Sequence, residues 1–232
     1  MRVIVKNTYI DHRIKLAQWL PLVALGFLAG SMLVSWKQPD QWNLTLLLVG
    51  LGFIFSVAGS YYVDRFGGRL PHFVKVPEAL KGLDDEYTLL VYRLPVPFVL
   101  VEPGGLTVIQ VKGQGGEVSY RNGHWRHSQS WRFFRQLGGQ ESLGEPDRQA
   151  RELENRLVKY LRRRLPDTVE VPVRGIVLFI DPEVHLEAED APVPALRAVK
   201  LKGWLRSKEG RRPTLPVETR RQLAEALGIA ED

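Results

Sequence analysis

The chain has no cysteine and only two methionines among its 232 residues. Without thiols there is no disulfide scaffold, no iron–sulfur cluster, no Cys-ligated zinc and no thiol nucleophile. Charge is missing locally: none lies between Lys15 and Lys37, and none between Asp40 and Asp64. A phosphate-cradling P-loop is absent as well, because Gly113, Gly115 and Gly116 are not followed by Lys-Ser/Thr and a helix. A mean hydropathy of −0.15 therefore averages over two unlike parts.

Residues 16–36 and 42–63 are the uncharged runs, rich in Leu, Val, Ala and Gly. Each approaches the roughly 20 residues that cross about 30 Å of hydrocarbon. Trp19, Trp36, Trp42, Tyr61 and Tyr62 lie near the ends of these runs, where an amphipathic ring places its body in lipid and its polar edge among headgroups. A short connector through Pro39 predicts a tight antiparallel hairpin. Gly26 and Gly30, and Gly52, Ser56 and Ser60, supply small residues at helical spacing for close backbone approach. Arg2, Lys6, Arg13 and Lys15 precede the first run and Arg65, Arg69, Lys75 and Lys81 follow the second, whereas the connector holds one Lys and one Asp. By the positive-inside rule both termini belong in the cytoplasm of a multi-pass protein of the cell membrane.

The expected organisation is a cytoplasmic N-terminus (1–15), two transmembrane helices (16–36, 42–63), a linker (64–77), an α/β domain (78–206) and a tail with a short helix (207–232). From residue 64 onward 27 basic side chains face 24 acidic ones, a net of +3, so the domain as a whole lacks a strong nucleic-acid footprint. A strand is expected over 87–94. Residues 96–112 read V-P-F-V-L-V-E-P-G-G-L-T-V-I-Q-V-K, two β-rich runs joined by a Pro-Gly-Gly turn. A second hairpin should turn at Arg121, Asn122 and Gly123. Residues 145–165 form the best helix, with Pro146 in the first turn, Arg162 to Arg164 at the negative end, and one apolar stripe. A buried strand over 171–180, a short strand over 198–204 and a helix over 217–227 complete a mixed α/β order.

Gln110 and Lys112 are two apart on a strand and project from the same face. A strand lysine beside a residue that reaches metal or water suits Mg²⁺-dependent phosphodiester cleavage. In that chemistry acidic residues hold the ion, and the lysine steadies developing charge. The stretch from Phe98 through Glu102, Pro103, Gly104 and Gly105 to Lys112, the Gly115-Gly116-Glu117-Val118 after it, and the Pro146-x-x-Gln149 opening of a helix resemble the nuclease-related domain family, NERD, a branch of the PD-(D/E)XK nuclease-like superfamily. Over about residues 78–181 the resemblance implies a restriction-endonuclease-like fold, a mixed sheet flanked by helices, with Lys112 and Gln110 at the catalytic positions of a degenerate motif.

The departures fall on the acids. Pro97 stands where the family has an aspartate, Gln110 where it has an acid two before the lysine, and His72, Phe73 and Val74 where it has a Gly-Glu pair. Proline has no substitute for a carboxylate on a metal. Glu78, Glu102 and Glu117 are the candidate acidic substitutes, with Mg²⁺ as cofactor if the site is active.

Residues 121–135 carry arginines among aromatics with no acid between Glu117 and Glu141. Arg121, Arg126, Arg132 and Arg135 with Trp125 and Trp131 suit DNA or RNA, through phosphate contact and stacking. His124 and His127 lack a third metal ligand nearby, and the acidic stretch 181–190 lacks the alternating pattern of a calcium loop. The expected protein is thus a membrane-anchored, NERD-like domain acting in nucleic-acid or partner binding. An active Mg²⁺-dependent phosphodiesterase and a non-enzymatic assembly protein forming homo-oligomers are the alternatives.

Overall fold

The computed structural model describes residues 1–67, 71–128, 142–166 and 168–229. These fall into two compact units, one built on residues 7–72 and the other joining Met1–Lys6 to the chain from Phe73 to Ser128 and from Leu143 onward.

The first unit is a hairpin of α1 (Asn7–Lys37) and α2 (Trp42–Phe66), both long and apolar enough to cross a membrane. Its seam repeats every seven residues: Ala17, Ala24 and Ser31 are buried on α1, and Gly52, Gly59 and Phe66 on α2. That is the period of a left-handed helix pair. A Cβ on Gly52 would meet Leu28 at 2.9 Å and one on Gly59 would meet Pro21 at 3.2 Å, so glycine sets the approach at both points. Of the small residues expected on the seam, Gly52 lies on it, whereas a Cβ on Gly26 or Gly30 would meet nothing within 4 Å and Ser56 is exposed. Heptad spacing, not a four-residue step, keeps small residues on the seam. Outward, Leu25, Met32, Phe53 and Ile54 are each more than half exposed, an apolar surface that a soluble protein would hide.

The second unit is α/β. Its main sheet runs β1 (Arg2–Val5), β2 (Thr88–Val91), β3 (Phe98–Glu102), β4 (Gly105–Lys112), β7 (Val173–Phe179), β9 (Ala195–Arg197) in spatial order. Strands β2, β3 and β4 form an antiparallel meander, while β1 joins β2, β7 joins β4 and β9 joins β7 in parallel. A smaller sheet sets β5 (Gly116–Arg121) between β6 (His124–Ser128) and β8 (Val184–Glu187). The helices are α3 (His72–Leu80), α4 (Pro146–Leu161), α5 (Ala198–Arg206) and α6 (Val217–Leu227).

Both expected hairpins form where their turn residues stand. Asn122 and Gly123 take positive φ, 53° and 80°, as a two-residue I′ turn requires. Gly105 has φ 133°, and a Cβ there would run into the Pro172 carbonyl oxygen. Helix α4 supplies the crossover between parallel β4 and β7, laying Leu157 and Leu161 into a core with Leu106, Val108, Leu223 and Leu227.

Three expectations change. The linker 64–77 contains the start of α3, which buries Val76 and Leu80 despite Pro77 within it. Residues 198–204 are helix, because Leu201 and Leu205, four apart, are the buried pair. The N-terminal tail is not free: Arg2–Val5 pairs with Thr88–Val91 before α1 begins at Asn7.

Candidate ligand site at Gln110 and Lys112

Parallel β4 and β7 finish side by side, Lys112 opposite Phe179, and Ile180 N donates to Lys112 O at 2.9 Å. The crossover into α4 begins above this point. Lys112 is only 4% exposed, and its Nζ donates to the Leu143 carbonyl at 2.7 Å, just ahead of the helix. A buried ammonium needs such acceptors to offset lost hydration. The half-buried Gln110 donates through Nε2 to Oε1 of Gln149 in the first turn of α4, at 3.0 Å. The two residues of the degenerate motif and the glutamine of Pro146-x-x-Gln149 therefore come together.

Pro97 directly precedes β3, whose Val99 pairs with Val108, two residues before Gln110 on β4. The place of the expected aspartate thus borders the site and offers no ligand. The candidate substitutes do not converge on it either. Glu78 is exposed on α3 and pairs with Lys75 at 2.7 Å. Glu117 opens β5, exposed, opposite Ser128.

Glu102 sits at the other end of β4, opposite Gly105. About seven residues at 3.3 Å separate that end from Lys112. There its buried carboxylate accepts from Thr107 Oγ1 and from Arg174 at 3.1 Å, and pairs with Arg212 at 3.4 Å. Arg174 also stacks 4.5 Å from the Trp204 ring centroid. Burial pulls the Arg212 guanidinium below its usual range, and the charge of Glu102 opposes that pull. This carboxylate is a structural counter-ion.

Around the loop after β4, the Asp181 carboxylate lies against Gly115, where a Cβ would meet Oδ2 at 2.7 Å, and accepts from Glu183 N at 2.8 Å. His127 Nε2 is 2.8 Å from the Gly115 carbonyl and therefore carries the proton. Asp181 was not singled out by the sequence as a site residue; the signal that could have found it is its place directly after a buried strand. Among the described residues no three His, Asp or Glu side chains are grouped to hold a metal. Two amides, an ammonium and a carbonyl do not fit Mg²⁺, which is held through carboxylates.

Of the residues expected to bind nucleic acid, Trp131, Arg132 and Arg135 lie outside the described residues. Trp125 donates from Nε1 to Asp147 at 2.7 Å and packs 5.2 Å from Tyr120 and 6.2 Å from Phe179, centroid to centroid. Its ring is engaged within the domain. Arg121 pairs with Glu187 at 2.6 Å, and Arg126 is exposed on β6.

No family model, curated protein or solved structure matches the chain.

Proposed function

We propose that this chain is a membrane-anchored, NERD-like protein whose nuclease-related site has lost hydrolysis and whose domain binds nucleic acid. The observation carrying the reading is the pairing of Gln110 with Gln149 beside Pro97: an amide bridge occupies the place where a hydrolase gathers carboxylates around a metal. The order α3, β2, β3, β4, then the β5–β6 hairpin, α4 and β7 supports the restriction-endonuclease-like core that the sequence resemblance implies.

The anchor is a two-span hairpin in the cell membrane with both termini in the cytoplasm. Pairing of β1 with β2 supports placing both flanks of the hairpin on one side, and the flanking charges support that side being the cytoplasm. A strand N-terminal to the spans can join a sheet formed after them only if both lie on one side, which an even number of crossings gives.

The test is fluorescence anisotropy of labelled DNA and RNA with the full chain in detergent micelles, with Mg²⁺ or Mn²⁺, followed by a denaturing gel. Salt-dependent binding with intact ligand is expected. Cleavage that disappears in Lys112→Ala would overturn the reading in favour of a phosphodiesterase. Absence of both signals at low salt would favour an assembly role.

A further inference from the structure

Helix α4 has an outer face rich in cations that form no ion pair among the described residues. Ala150 and Leu157 are fully buried and Leu161 nearly so, and Glu154 turns to accept from Gly175 N at 2.9 Å, so these residues define the inner side. Arg151, Arg156 and Lys159 on the helix, and Arg162 and Arg163 in the turn that continues it, are exposed. Among the described residues no carboxylate pairs with any of them, whereas Arg148 is held by Glu145 and Glu152 at 2.8 and 3.5 Å. Glu152 is the one acid on the face and is already engaged there. At 1.5 Å per residue the cations extend over about 18 Å. That matches about five base-pair steps of a duplex at 3.4 Å per step along each strand.

We infer that this face of α4 is a binding surface for the phosphate backbone of a duplex nucleic acid. The inference rests on the nucleic-acid reading above and names a surface that reading did not contain. One feature selects the duplex. Tyr160, the aromatic on α4, packs against the core and lies 3.8 Å beneath the Arg164 guanidinium, so the face offers no open ring; single-strand binding relies on such rings for base stacking. Phosphate contacts position a duplex without reading its sequence.

The experiment uses the full chain in zwitterionic nanodiscs and a labelled duplex of about 20 base pairs, titrated between about 50 and 200 mM salt. With five phosphate contacts the logarithm of affinity should fall with that of salt at a slope of about −4.5. Arg156→Gln/Lys159→Gln should reduce the slope by about 2 and weaken binding about tenfold or more, equally for unrelated sequences. Both residues are exposed; Lys200→Gln, exposed on α5, is the comparison. Wild-type binding with an unchanged slope in the double variant would overturn this surface while leaving the nucleic-acid reading in place. No wild-type binding at the lowest salt would remove both. Tryptic protection of α4 that follows anionic lipid content, with duplex affinity untouched by the double variant, would assign the face to the bilayer and overturn the inference.

Discussion

The side-chain amide of Gln110 donates to that of Gln149 at 3.0 Å, joining the exit of β4 to the first turn of α4. Both groups are neutral, so the pair calls for no metal. A carboxylate at either place would call for a cation or a protonated partner.

Replacing Gln110 with Leu strands the Gln149 amide in a half-buried position and should cost about 1–2 kcal/mol. Gln110→Glu should cost less, because the Gln149 amide can turn and donate to the new carboxylate. Thermal unfolding followed by near-UV circular dichroism ranks the two. Gln110→Glu alone should gain no Mg²⁺-dependent cleavage, since Pro97 still offers no ligand.

Glu102→Ala should be among the most damaging single changes in the domain. It leaves the Arg174 and Arg212 guanidiniums, both largely buried, without their shared counter-ion. Breaking a buried pair in this way costs about 3–5 kcal/mol. Hydrogen exchange should rise first around Leu215, whose N–H donates to Pro103 O at the same turn. An unchanged unfolding midpoint would contradict the structural role.

Strand β1 makes the N-terminus part of the sheet. Ile4, half-buried against the core around Leu90, should cost about 1–2 kcal/mol on truncation to Ala, below the range for a fully buried residue. The Met1 amine donates to Leu83 O at 3.1 Å and to Asp85 at 2.7 Å. That hydrogen bond and the amine's charge hold Asp85 below the usual carboxylate range. A depressed acid stabilises the fold above its ordinary pKa and loses that contribution as pH falls through the lowered one. An NMR titration should therefore place Asp85 below about 3.9, and Asp85→Asn should flatten the acid-side loss.

The elements that were legible in the sequence carry local signals. Pro103-Gly104-Gly105 and Asn122-Gly123 announce their turns, and the apolar stripe of α4 announces its helix. The missed elements depend on partners far along the chain. Arg2–Val5 is too short to read as a strand until Thr88–Val91 is beside it. Val199, Leu201 and Gly203 alternate with lysines and suggest a strand, yet burial selects Leu201 with Leu205. The site was half legible. Lys112 and Gln110 were marked by their spacing on a strand and Gln149 by the family resemblance, whereas only the tertiary fold joins Gln110 to Gln149 and shows Glu102 serving two arginines.

Because the chain lacks cysteine, single thiols report topology without background. In inverted and right-side-out vesicles, Gln38→Cys at the hairpin tip should react with a membrane-impermeant maleimide only from outside. Gly228→Cys should react only from the cytoplasmic side. Labelling of both from one side would contradict a two-span hairpin.

The most direct test is a single-turnover assay with full-length protein in excess over end-labelled duplex and single-stranded substrates, in Mn²⁺ as the more permissive ion. The account predicts ligand retained on the protein and uncut at all times, with Lys112→Ala indistinguishable from wild type in the cleavage channel. Product that accumulates with wild type and vanishes with Lys112→Ala would contradict it, and would mean that a carboxylate reaches Lys112 by a rearrangement the fold does not display.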